Sequence, residues 1–183
     1  LVVDFLSGAQ GFIGKVFMLD SARLIFIHGL ESSGQGFKAT LLRHLLPGIQ
    51  TPDFRGPLQE RMERLVHILA HDSGWVIIGS SFGGLMGALF TCQRPQQVAK
   101  LILLAPALPW PDFADSPPPP VSVPVVVYHG RGDEIIPLDL VQPLAEQAFL
   151  NLTFHVVDDD HRLHKTVQAI DWTALVGAGG VQS

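Results

Sequence analysis

The sequence predicts an α/β fold, a three-layer α/β/α sandwich around a mostly parallel sheet with an antiparallel N-terminal strand. Three observations predict it. From Arg23 to Val176, short runs rich in Val, Ile and Leu alternate with segments of helical spacing. Those runs are nearly unbroken in apolar residues, as in Trp75-Val-Ile-Ile78, which suits strands buried on both faces of a parallel sheet. Before the alternation begins, two extended runs are joined by Asp20-Ser21-Ala22, a turn too short for a crossover helix.

The elements follow in order. Leu1–Leu6 and Phe12–Leu19 are strand candidates, and Arg23–His28 is a third that pairs antiparallel with the second. Gly8-Ala9-Gln10-Gly11-Phe12-Ile13-Gly14 has the spacing of a dinucleotide-binding glycine turn. That reading needs a crossover helix before the next strand, and the eight residues Lys15–Ala22, extended over Val16–Leu19, leave no room for one. A turn between antiparallel strands is the expectation. Phe37–Leu46 is a helix stopped by Pro47-Gly48, and Ile49–Thr51 a short strand. Leu58–Ala70 carries Leu58, Met62, Leu65, Val66 and Leu69 at helical spacing. Trp75–Ile78 is a strand, Phe82–Gln93 a helix ended by Pro95, and Lys100–Leu104 a strand. Pro106–Pro124 holds four consecutive prolines, Pro117–Pro120, and reads as an extended surface connection without a helix. Val125–His129 and Leu152–Val157 are strands flanking a helix at Leu138–Phe149, and Leu163–Val176 is one closing helix.

Composition narrows the function. At 183 residues the chain fits one domain, 1–183, with no large cap. A net charge of −5 gives no basic footprint for nucleic acid or anionic lipid, so a small-molecule partner is expected. The single cysteine, Cys92, excludes an internal disulfide and reads as a helical core residue. No apolar run is long enough for a membrane span, and Leu1–Leu6 lacks a basic region and cleavage-like site, so a cytoplasmic location is expected. No compact metal-ligand set occurs; His67 and His71 sit four apart without an obvious third ligand, and neither metal nor cofactor is expected.

Chemistry concentrates at Gly79-Ser80-Ser81-Phe82-Gly83, a G-x-S-x-G between a strand and a helix. Gly79 and Gly83 face the inside of a sharp turn, where a side chain would clash. The turn lifts the Ser81 hydroxyl to the carboxyl edge of the sheet and puts the Phe82 N–H at a helix start, aimed at developing negative charge. A serine hydroxyl needs a base, and the base an orienting acid. His161 follows the strand Leu152–Val157, and Asp133 follows Val125–His129, so both fall at the same edge as Ser81. Alternatives are Ser80 as nucleophile, His164 as base, and Glu134 or Asp158–Asp160 as acid. His155, within a strand, reads as a packed core histidine.

Ser81, Asp133 and His161 in that order, together with Ile27-His28-Gly29-Leu30 after the third strand, make the chain resemble a small α/β hydrolase of the serine-esterase kind over almost its whole length. The resemblance implies that Leu30 supplies a second oxyanion N–H beside Phe82, and that His28 shapes its turn. It also implies an acyl-enzyme mechanism on a small-molecule ester of short or medium acyl chain. Amide, thioester or carbon–carbon hydrolysis and a non-catalytic binding module of the same fold are the alternatives. Ala105–Pro124 is too short and proline-rich for a helical lid. Leu108, Trp110 and Phe113 are candidates for one wall of an open acyl pocket, or for an apolar cover on the sheet edge.

Overall fold

A computed structural model of the chain describes residues 23–177. Five strands, β1 (Leu24–Ile27), β2 (Trp75–Ser80), β3 (Val98–Leu104), β4 (Val121–Gly130) and β5 (Phe149–Val157), form one sheet in that order. Every strand pairing among the described residues is parallel, so no described pairing supports the expected antiparallel start. Its partner strand Phe12–Leu19, like Leu1–Leu6 and the Gly8–Gly14 turn, lies outside the described residues.

The helices are α1 (Phe37–Leu45), α2 (Leu58–Leu69), α3 (Phe82–Gln93), α4 (Pro111–Ala114), α5 (Leu138–Ala148), α6 (His164–Ala169) and α7 (Trp172–Gly177). Because successive strand residues point to opposite faces, the core divides in two. Ile25, Ile77 and Leu101 meet Leu65, Leu85 and Val141 of α2, α3 and α5. Phe26, Ile78 and Ile102 meet Leu42, Val167 and Trp172 of α1, α6 and α7. This is the expected three-layer arrangement.

Residue Gln50 docks parallel on the free side of β1, through Phe26 N–H to Gln50 O at 2.9 Å and Gln50 N–H to Leu24 O at 2.9 Å. The chain therefore leaves β1 in one direction and returns to build β2 to β5 in the other. The carboxyl end of the β1–β2 pair is where the strand order reverses, the place at which an open α/β sheet leaves a crevice for a ligand.

Two elements depart from expectation. The closing helix is broken: Ile170 takes extended backbone, and Asp171 caps α7 by accepting the Ala174 N–H at 3.0 Å. The connection after β3 contains a single helical turn, α4, opened by Pro111 at a position where the missing N–H costs nothing. Directly after Pro120, β4 starts four residues earlier than the sequence predicts. Pro124 is accommodated because pairing with β3 begins at Val125, so Val121–Pro124 pairs with β5 alone and its register shifts there.

Candidate active site

Ser81 sits between the last residue of β2 and the first of α3, with φ 55° and ψ −117°. Such backbone costs a non-glycine residue about 1–3 kcal/mol and persists only when its surroundings hold it. They do: Ser81 N–H donates to Leu104 O at 2.9 Å, and Ser81 O accepts from Gly84, Leu85 and Ala107. The flanking glycines permit the close approach this requires. A Cβ on Gly79 would lie 2.5 Å from Gly83 O, and one on Gly83 would strike Ile27 O and come within 2.6 Å of His28 O. The start of α3 is thus packed against the backbone at the end of β1.

Asp133 follows β4 and His161 follows β5, as their positions in the sequence lead one to expect. The Ser81 hydroxyl is 3.0 Å from His161 Nε2, to which it can donate. His161 Nδ1 is 2.8 Å from Asp133 Oδ2, so the other ring N–H donates to the carboxylate. The Asp133 side chain is wholly buried, and its Oδ1 accepts the N–H groups of Ile135 at 3.0 Å and Ile136 at 2.8 Å. The loop carrying His161 is seated by Gly130, where a Cβ would meet Asp160 O at 2.7 Å, and by Gly132 N–H donating to Asp159 O at 3.1 Å. A hydroxyl, an imidazole and a buried carboxylate linked in this way can deprotonate the hydroxyl as it attacks a carbonyl.

The remaining candidates lie elsewhere in the network. His164 opens α6 with its ring 4.5 Å from that of Phe37. Ser80 is buried at the end of β2. Asp159 accepts the Thr166 N–H and hydroxyl, both at 2.9 Å. Burial alone would raise its pKa, but these bonds and the Asp160 N–H hold it below the usual value. Asp160 accepts the Arg162 N–H at 2.8 Å. His28 is buried, and its Nε2 accepts the Phe54 N–H at 2.9 Å while Nδ1 is left to donate to Gly29 O at 2.7 Å. That fixes its tautomer and ties the turn to the loop before α2. His155 is exposed on the outer strand and stacks on Tyr128 at 4.7 Å; it is not a core residue. Cys92 is half-buried on α3, and burial pushes its thiol up to about 11. Among the described residues, no group of three or more His, Cys, Asp or Glu side chains is placed to hold a metal, and no helix is long and apolar enough to cross a membrane.

A groove of about 960 Å³ opens over Ser81 and His161. Leu30, Phe37, Trp110, Ile135 and Leu140 are exposed and line it, forming an apolar collar. Trp110 stands edge-on to Phe82 at 5.1 Å. Leu108 and Phe113 do not reach the groove: both are fully buried in the core on the α2–α3 side. The turn of α4 directs Phe113 inward while Trp110, just before it, stays at the rim. The Gly29 backbone lies against Ser81, a Cβ there falling 3.8 Å from Oγ, so the turn bearing Leu30 borders the Ser81 hydroxyl. The N–H groups of Leu30 and Phe82 have no acceptor among the described residues.

Three further residues shape this region and were not evident from spacing. Arg61 of α2 is 5% exposed. Its Nε donates to Gly56 O at 2.8 Å, a terminal nitrogen reaches Leu30 O at 3.5 Å, and its guanidinium carbon lies 5.4 Å from the centre of the Phe82 ring. It therefore touches both Phe82, next to Ser81 in the chain, and Leu30, in the turn beside Ser81. The clue in the sequence is that Arg61 lies on the buried stripe of its helix with Leu65 and Leu69. His129, at the end of β4, is fully buried, with Nε2 2.9 Å from Ile136 O and 3.3 Å from Asp133 Oδ2. Both neighbours are acceptors, so Nε2 carries the proton. Nδ1 is buried without a partner, and burial pushes the pKa below its ordinary value. The third residue, Lys38 of α1, lines the groove.

A parallel sheet with a strained serine turn at its reversal point and helices on both faces is the α/β-hydrolase fold. Solved structures agree. A protein of Xanthomonas campestris pv. campestris assigned to the α/β hydrolase superfamily is 27% identical, with a TM-score of 0.68, over 85% of this chain and 95% of that one. Alpha/beta hydrolase domain-containing protein 10 from mouse is 18% identical, with a TM-score of 0.67, over 85% and 86%. Est1E from Butyrivibrio proteoclasticus, solved with ferulic acid bound, is 15% identical, with a TM-score of 0.66, over 85% of each chain. No protein-family model matches the sequence, and no curated protein does. The chain shares the fold of the α/β-hydrolase superfamily.

Proposed function

We propose that this protein is a serine hydrolase cleaving carboxylic esters of short or medium acyl chain through an acyl-enzyme. The observation that carries the reading is the continuous hydrogen-bonded chain from Ser81 through His161 to Asp133. In this mechanism His161 Nε2 takes the Ser81 proton as Oγ attacks the ester carbonyl. Asp133, held by the Ile135 and Ile136 N–H groups, keeps the imidazole in the required tautomer and offsets the charge it gains. The N–H groups of Leu30 and Phe82 bind the oxyanion. His161 then protonates the departing alcohol, and water, activated by the same imidazole, releases the acid from Oγ.

No cofactor or metal enters these steps. We assign the activity to a single domain without a large cap, on the short Ala105–Pro124 connection, and to the cytoplasm, on the lone thiol. The test is labelling by a fluorophosphonate probe alongside hydrolysis of a 4-nitrophenyl ester. Wild type should be labelled and active, and Ser81→Ala should lose both while unfolding at the wild-type temperature. Labelling that persists in Ser81→Ala refutes the assignment of Ser81, and a well-folded wild type that is neither labelled nor active marks a binding module.

A further inference from the structure

The groove is apolar over most of its rim, yet one corner is basic. Lys38 on α1 and Arg162 beside His161 both line it. The ring contact between Phe37 and His164 joins the start of α1 to the start of α6 and so brings the two cations to the same corner. They lie close enough to repel. Lys38 is half-buried and has no hydrogen bond or ion pair within 4.0 Å among the described residues. Asp160 and Asp159 attract it without pairing directly; Asp159 accepts from Thr166, and Asp160 from the Arg162 N–H. The other charged or titratable groups on the groove wall are Glu31, His161 and His164.

A half-buried cation without a direct partner stabilises an anion brought to it, because part of its dehydration has already been incurred and the interaction is gained in a partly desolvated site. We propose that the substrate is an amphiphilic ester bearing an anionic group, a carboxylate in the simplest case, which Lys38 binds with Arg162 while the apolar collar holds the hydrocarbon part. This deepens the serine-hydrolase reading and rests on it for taking the groove as the substrate's own. The state of Lys38 agrees with this role. Burial lowers its pKa to about 8, and the attraction of Asp160 and Asp159 does not restore it, while Arg162 lowers it further. An anion at this corner would raise that pKa again, so its binding weakens as pH rises through about 8 and is accompanied by proton uptake there.

The test uses ester pairs that differ in one terminal group. The mono-4-nitrophenyl esters of butanedioic, hexanedioic and octanedioic acid are compared with the neutral 4-nitrophenyl esters of equal chain length. The hexanoyl ester of 4-hydroxybenzoate, compared with phenyl hexanoate, puts the charge on the alcohol side. Binding is measured calorimetrically to Ser81→Ala, where turnover does not interfere, and KM is measured on wild type. At least one anionic ester should bind about tenfold more tightly than its neutral partner. That preference should shrink to about twofold or less when Lys38→Gln is added, survive largely in Lys38→Arg, and fade between about pH 7 and about pH 9. Neutral esters should keep their affinity within about twofold in Lys38→Gln, which also reports that the variant is folded. Equal binding in every pair, or a preference unchanged by Lys38→Gln, overturns the proposal. A preference that obeys Lys38 in a protein whose Ser81 no probe labels would sink the hydrolase mechanism and leave the anion site standing.

Discussion

Replacing Gly83 with alanine tests how tightly the serine turn is wedged against β1. The new Cβ would lie 2.6 Å from His28 O, and closer still to Ile27 O, where ordinary contact begins near 3.4 Å. Both obstacles are backbone atoms and cannot rotate aside, so the start of α3 must retreat by about 0.8 Å or more. Overpacking of this kind costs about 3 kcal/mol, and the better helix propensity of alanine returns about 1 kcal/mol at most. A net loss of about 2 kcal/mol lowers the unfolding midpoint by about 4–8 °C in a chain of this size. The same retreat carries Ser81 and the Phe82 N–H away from Leu30 and His161, and a misplacement near 1 Å costs about 100-fold in rate. Gly87→Ala is the control, since the nearest atoms to its Cβ are side-chain methyls rather than backbone: Leu101 Cδ1 at 3.1 Å, Ile77 Cγ2 at 3.2 Å and Ile27 Cδ1 at 4.0 Å. It should stay within about 1 kcal/mol of wild type with unchanged kcat/KM. Thermal unfolding by circular dichroism and turnover of an aryl ester read both variants. Gly83→Ala with wild-type stability and activity, or Gly87→Ala as damaged as Gly83→Ala, would refute the steric argument.

Burial holds His129 neutral, with its pKa below the ordinary 6.5. The unfolded chain takes up a proton there below about pH 6.5 that the native state resists, so stability falls as pH drops through that value. In His129→Gln the fall in melting temperature between about pH 7 and about pH 5 should be shallower than in wild type, and parallel curves would contradict this. Arg61→Met removes the support shared by Leu30 and Phe82 and should lower kcat about tenfold with KM within about threefold. Arg61→Lys, which keeps the charge and loses the fork, should fall between; an unchanged kcat in Arg61→Met would show that the guanidinium does not steady the two donors.

Much of this architecture is legible in the sequence because local and tertiary signals agree. The strand–turn–helix around Ser81 declares itself through β-branched residues, then glycines, then an apolar helix closed before Pro95. Asp133 and His161 are readable because a parallel sheet delivers every strand to the same rim, so position after a strand is position in space. Where tertiary packing alone decides, the sequence is silent. Leu108, Trp110 and Phe113 are three large apolar residues with no period to separate rim from core; Leu108 is buried before α4 begins, and the turn at α4 sends Phe113 inside. The run Leu163–Val176 keeps helical spacing across Ile170, so the break shows only through Asp171, whose capping role competes with continuation of the helix. Lys38 carries no mark that sets it apart from a surface charge, and Arg61 only its place on the stripe of Leu65 and Leu69, because long cationic side chains so often bury their stems and keep their heads in water.

Ser81 and His161 hang from strands of very different security. The serine's strand, β2, lies inside the sheet and is almost wholly covered, whereas β5 is its outermost described strand and presents much of its length to solvent. Fraying begins at such margins. A modest opening there would carry off the imidazole and leave the hydroxyl in place, so on the proposed mechanism turnover would cease well before the molecule melts.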